Sequence, residues 1–405
     1  MEKSTQSKSK YSIILGVAFV WFTTHFGGGF ASGAQIYSYY VRYGVWCLIT
    51  PAIAMIYNAA FFAYCLYFAR KHEVYDYRSY NNALYGRFAP VFSNLFEVLY
   101  ICVMCVAPAV AFATGGATLC ALTGLPYLVC TLIIGVFIFI VAIFGTDLVR
   151  RVASVLSICI IVGLLIVYIP NIIASSHEIS QTASAMSSDA FPLGRALYSA
   201  FLYGTFQLAN VAVFVQHARS FDKPKDAVKS MGIGCVINII MMTVVVLGIM
   251  TVAANPEMAN QSVPTLFMVQ NGVGSRFLTP LISILIILGA VSTAVNMVAA
   301  MVARICNKKA VKHSNRSASN TARITRREII AALICCLADF GIAQFGLLTL
   351  IQKAYSFLAY LAIPVILIPY TVRMIWKKTS HHGDAPFVTR SVPVSRIDKP
   401  KGHSS

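Results

Sequence analysis

Ten apolar runs, each about long enough to cross a hydrocarbon core, constrain this chain more than any other feature. They lie at roughly 11–43, 44–69, 91–118, 126–145, 149–173, 195–217, 229–254, 275–304, 327–343 and 346–376. A helix that crosses a bilayer needs about 20 apolar residues, and hydrocarbon offers no partner to an exposed backbone group. The chain is 58% hydrophobic and only 11% charged, so no single water-soluble core can hide it. The expectation is an all-α membrane protein with ten transmembrane helices over 11–376. A short tail at 1–10 precedes them and a basic tail at 377–405 follows.

Charge placement sets an orientation. The net charge is +18, from 32 basic and 14 acidic residues. On a soluble module that excess would point to nucleic acid. Here the basic residues sit in short loops and tails instead. If ten segments alternate, one side receives Arg70, Lys71, Arg78, Arg87, Arg150, Arg151, Arg219, Lys223, Lys225, Lys229, Arg304 and the basic run from Lys308 to Arg327. The other side receives only Arg42, Arg195, Arg276 and Lys353. Basic loops stay in the cytoplasm, so both termini are expected inside, with lipid and no nucleic acid as partner. His72 to Arg87 reads as an inner loop with room for an interfacial helix, and Ser175 to Ser188 as a polar outer loop. The tail lacks apolar residues to pack and is expected to be disordered.

Enzyme chemistry finds no foothold. The 11 cysteines lie mostly in apolar runs, where they read as small hydrophobes. Cys102 with Cys105, and Cys335 with Cys336, lack the second cluster of a zinc site. No phosphate-binding loop, nucleophile elbow or H-E-x-x-H stands in the chain. No cofactor is called for.

The first segment is too long for one plain crossing and holds Gly27-Gly28-Gly29 near its middle. Each glycine costs a helix about 1 kcal/mol relative to alanine. A break in hydrocarbon is tolerated where it lines a cavity, and its freed groups then become ligands. Close packing against a neighbouring helix is the competing reading. In the sixth segment, Tyr203-Gly204-Thr205-Phe206-Gln207 places a glycine and polar groups between apolar arms. Two interrupted helices five segments apart are a pointer to secondary transporters, and five crossings invert the second set relative to the first. In the eighth segment, Gly289 precedes Ser292 and Thr293 by one turn. Their hydroxyls suit Na⁺, or simply bond their own helix.

These residues resemble the LeuT-type fold of the amino acid–polyamine–organocation superfamily. Gly29-Phe30-Ala31-Ser32-Gly33, followed by Ile36, is similar to the first helix of YkvI-type bacterial membrane proteins. Ala34-Gln35 stands where that pattern has Gln-Glu, so a carboxylate is missing. The resemblance implies a 5+5 inverted repeat, 11–173 and 195–376, with helices 1 and 6 discontinuous, in a bacterial cytoplasmic membrane. It implies a solute site at Gly27, Gly28, Gly29, Tyr203, Gly204, Thr205, Phe206 and Gln207. It also implies a Na⁺ position at the carbonyls of Thr23 and Phe26 with Gly289, Ser292 and Thr293.

Other polar residues stay open. His25 precedes the glycines and can sense pH, bind solute or sit satisfied in the core. Glu97 lies deep in an apolar run, where a charge is functional by default: it is a candidate for coupling or pH sensing, or else a protonated or interface-facing Glu. Asn58, Gln207, Asn210 and Asn296 are site lining or glue between helices, and Asp339 and Lys353 are a candidate interface pair. The leading expectation is a secondary transporter of a small, amino-acid-like solute, with Na⁺ as a candidate coupling ion. A sensor on the same fold is the alternative, but the tails are short for an output domain. Oligomeric state is not legible. Tyr203 and Phe206 are expected to close over the solute, and Gly28→Val to lose binding with the fold intact.

Overall fold

The computed structural model describes residues 2–144, 146–186, 191–306 and 325–379. Among the described residues there is no strand. Helix α1 (Glu2–His25) ends where Gly27 turns extended, at φ −78° and ψ −177°. One turn, α2 (Gly28–Ala31), follows, and α3 (Ala34–Tyr39) starts after Gly33 at φ +78°. The first segment is therefore broken, at Phe26–Gly27 and again at Ser32–Gly33. Gly28 and Gly29 are themselves helical.

After a 3-10 stretch at Val41–Leu48, α4 (Thr50–Lys71) crosses with Pro51 in its first turn, where the missing N–H costs nothing. The stretch after His72, expected to have room for an interfacial helix, holds α5 (Tyr77–Tyr85), whose first turn is capped by Asp76 accepting from Ser79 N–H at 2.9 Å. Next come α6 (Ala89–Thr123), α7 (Tyr127–Phe144) and α8 (Thr146–Ala174). The outer stretch read as a loop forms a helix, α9 (Ser176–Ala185), bent 77° from the end of α8.

Helix six does not break as expected. Helix α10 (Leu193–Gln207) passes into a 3-10 turn at Leu208–Asn210, then α11 (Val211–Phe214), then 3-10 geometry again at Val215–Ser220. Leu208, Asn210, Val211 and Val215 all keep helical dihedrals. Gly204 alone is too weak a breaker to overcome the flanking apolar arms, so the interruption is a tightening from i+4 to i+3 bonding.

The chain continues with α12 (Lys225–Met250), the short α13 (Pro264–Gln270), α14 (Ser275–Ile305) and α15 (Arg326–Ala343). Helix ten is assembled from α16 (Leu347–Thr349), a π-turn at Leu350–Ala354, α17 (Tyr355–Ala362), a π-turn at Ile363–Leu367 and α18 (Ile368–Thr379). By length and composition, seven helices of the described residues can cross a membrane, or eight with the bent α8–α9 pair. The apolar part of α1, Tyr11–His25, is shorter than a full span, and α15 is not among the seven. The tail beyond Thr379 lies outside the described residues.

The core sits around the broken helix. All four residues of α2 are buried, and α2 packs against α6 and α14. On the other side, α12 packs against α1 and α4. The second break is clamped by α13, where Thr265 N–H donates to Ser32 O at 3.0 Å. A Cβ on Gly33 would lie 2.6 Å from Thr265 Oγ1. Gly33→Ala therefore combines a left-handed backbone with a steric conflict. It should cost about 1–3 kcal/mol, read as a lower unfolding temperature in detergent; an unchanged temperature would mean that α13 does not hold the break.

Candidate functional site

His25, the last residue of α1, is only 4% exposed and uses both ring nitrogens. Nδ1 lies 2.6 Å from Asn238 Oδ1 on α12, and Nε2 lies 2.6 Å from the Tyr203 hydroxyl on α10. Asn238 Nδ2 donates to Gly234 O at 2.8 Å, which turns its Oδ1 toward the ring. Nδ1 is thus the protonated nitrogen, and Nε2 accepts from Tyr203. With the Tyr203 proton donated to Nε2, Gln35 Oε1 on α3, 3.3 Å from the Tyr203 hydroxyl, is its alternative acceptor. This buried chain of Asn238, His25, Tyr203 and Gln35 joins helices one, six and seven across the first break, and no member carries a fixed charge.

Aromatic rings close around it. Tyr203 meets Tyr39, Tyr40 and Phe206 with centroids 5.2, 5.1 and 5.2 Å away. Phe206 stacks on Tyr355 of α17 at 4.5 Å. Tyr203 and Phe206 thus share a face, as their spacing suggests. At the break, Phe26 O receives no hydrogen bond and Gly27 N–H donates none among the described residues. Both are free for a polar ligand, whereas a one-turn α2 has little dipole to offer.

The three glycines separate. A Cβ on Gly27 would stand 3.2 Å from Thr293 Oγ1, so Gly27 faces the hydroxyl expected at the Na⁺ position. A Cβ on Gly29 would meet Gln35 Nε2 at 2.8 Å. Gly28 corrects the expectation, because its Cβ would fall 2.5 Å from Ala290 Cα on α14. It serves close helix packing, with Gly289 opposite.

Of the Na⁺ candidates, Gly289 and Thr293 lie against the broken segment. Thr293 Oγ1 donates to Gly289 O at 2.9 Å and Thr23 Oγ1 to Val20 O at 3.2 Å. The hydroxyl protons are spent on their own helix, and the oxygens keep lone pairs. Ser292 is half-buried. From helix six, Gly204 and Thr205 turn toward α4, where the Thr205 hydroxyl lies 3.4 Å from that of Tyr57. Gln207 accepts from Asn210 Nδ2 at 2.7 Å.

Glu97 is not part of this junction. It pairs with Arg304 of α14 and accepts from the Tyr77 hydroxyl of α5 at 2.8 Å. The Arg304 guanidinium lies 5.6 and 5.5 Å from the Tyr77 and Tyr100 rings. Asp339 is buried and Lys353 exposed, and no salt bridge joins them. Residue by residue reading did not single out Asn238, although one Asn inside the apolar run of α12 was a signal. It treated Gln35 as a departure from a motif, not as part of the network.

A bundle of membrane-crossing helices, with one helix broken beside a buried polar network, defines a membrane transporter of the broken-helix class. A family model described as amino acid permease matches residues 11–394, and the chain belongs to that family. No curated protein matches it. Among solved structures, the fold is similar to a mutant of the manganese transporter of Eremococcus coleocola, with TM-score 0.51 and 18% identity over 89% of this chain and 78% of that one. The same organism's manganese transporter in complex with an aromatic bis-isothiourea substituted compound aligns with TM-score 0.51 and 16% identity over 89% of this chain and 78% of that one. At such identities the likeness concerns the fold alone.

Proposed function

We propose that this permease is a secondary transporter that carries a small, amino-acid-like solute by alternating access, through a site between the first break and helix six. The observation that carries this is the unpaired Phe26 O and Gly27 N–H beside a buried network and an aromatic enclosure. A carboxylate accepts from Gly27 N–H, an ammonium donates to Phe26 O, and the rings cover the remainder. In this reading α1 with α2 and α3 forms the first of ten crossings, helix six opens the inverted second five, and both termini lie inside.

The coupling ion is Na⁺ in the same proposal, held by the carbonyls of Thr23 and Phe26, by Thr293 Oγ1 and by Ser292 beside Gly289. Proteoliposomes offered labelled amino acids, with and without a Na⁺ gradient, test both parts. Saturable uptake above empty vesicles is expected for at least one amino acid, and its absence for all would overturn the solute class. Ser292→Ala with Thr293→Ala should remove the Na⁺ dependence. Uptake by the wild type that ignores Na⁺ would end the sodium assignment alone.

A further inference from the structure

Asn58 of α4 is fully buried, and neither its Oδ1 nor its Nδ2 has a hydrogen-bond partner. An amide has four places for hydrogen bonds, and leaving buried ones unmade is costly. Such a group persists where another demand requires it. Its neighbour shows what the demand is. Asn58 lies against Gly204, where a Cβ would come 3.4 Å from Asn58 Oδ1 and 2.7 Å from the Tyr57 ring. The bare Gly204 backbone is what lets the amide come so near.

At this point helix six changes its bonding. Leu208 N–H donates to Thr205 O, three residues back. In a regular α-helix it would donate to Gly204 O, four residues back. The 3-10 turn therefore takes from Gly204 O its usual donor, beside an amide whose donors are unused. The Asn58 amide is thus unpaired beside a residue whose carbonyl has given up its usual α-helical donor.

We propose that Asn58 is a positioning residue of the transport cycle, whose amide is unpaired against Gly204 here and bonds the Gly204 carbonyl in another conformation of helix six. This rests on the reading of helix six as a moving wall of the solute site. Shifting the helical switch between Thr205 and Leu208 turns the Gly204 carbonyl toward or away from α4. The penalty on Asn58 in one state and the bond gained in the other bring the two states closer in free energy.

The test is Asn58→Leu, which has the same branched skeleton of side-chain heavy atoms and no polar ones. Removing an orphaned polar group should stabilise the present conformation. The unfolding temperature in detergent is expected to rise by about 2 °C or more. Hydrogen exchange across residues 202–210 should slow. Uptake of a labelled amino-acid mixture by proteoliposomes should fall about tenfold, the rate equivalent of one lost hydrogen bond. A lower unfolding temperature, unaltered exchange or wild-type uptake would overturn the proposal. If the Leu variant does not fold, Asn58→Val carries the same readouts. Failure of both to fold would mean that the amide is already paired, which also overturns it. If wild-type vesicles take up no amino acid, the solute reading fails, and stability with exchange decides the role of Asn58.

Discussion

Gly28→Val is expected to leave almost no monodisperse protein after extraction from the membrane. A Cβ there would stand 2.5 Å from Ala290 Cα and 2.6 Å from Ala290 N. Both are backbone atoms inside α14, so no rotamer change relieves the overlap. Helix α14 is itself wedged against α6 and α8 and cannot back away cheaply. Overpacking of this kind costs about 3 kcal/mol or more, a large share of a domain's net stability. The contrast is Gly27→Ala, whose Cβ would come 3.2 Å from the Thr293 side-chain oxygen. That oxygen can give by a few tenths of an ångström, so this variant should fold while disturbing the junction it faces. Size-exclusion profiles and unfolding temperatures of the two proteins decide it. A well-folded Gly28→Val protein would mean that α2 and α14 do not pack as described.

His25→Leu should be the most damaging change within the polar network. It keeps much of the ring's volume and removes both hydrogen bonds. Asn238 Oδ1 loses its donor, and Tyr203 exchanges its 2.6 Å acceptor for Gln35 Oε1 at 3.3 Å. Each buried group left unpaired costs about 1–3 kcal/mol, so the variant should unfold at clearly lower temperature. Uptake should fall with it, because the network sets Tyr203 against the aromatic enclosure. The informative partner is Tyr203→Phe, which removes one end of the same bond. If the network acts as a unit, the double variant should be less destabilised than the sum of the two single changes. Strict additivity would show that His25 and Tyr203 contribute separately.

Much of the architecture was legible from hydropathy and charge. The helix at Tyr77–Tyr85 and the break near the glycine triplet both follow from local composition. So does the absence of enzyme signatures, in keeping with a permease. The less legible features have identifiable reasons. Helix six carries one glycine and polar side chains, a pattern shared by a broken helix and by one that tightens into 3-10 geometry. Only the helical dihedrals kept from Leu208 to Val215 in the folded chain separate them. Glu97 reads as an isolated charge because Arg304 is 207 residues away in the chain. Asn238 reads as one polar residue among apolar neighbours until α12 is laid beside His25.

The sequence by itself determined that the chain lives in a bilayer, because runs of this length have no other solvent. It also pointed to a break near residue 27, because glycine weakens a helix through its own backbone, with close helix packing as the competing reading. Tertiary structure alone decided what each glycine faces: Gly27 a hydroxyl, Gly28 a neighbouring backbone, Gly29 an amide. Breaking a helix is a local property of a few residues. The surface Gly27 and Gly28 meet is set by long-range packing, by a helix that begins at Ser275, far along the chain, whereas Gly29 meets Gln35 of the short helix that follows it.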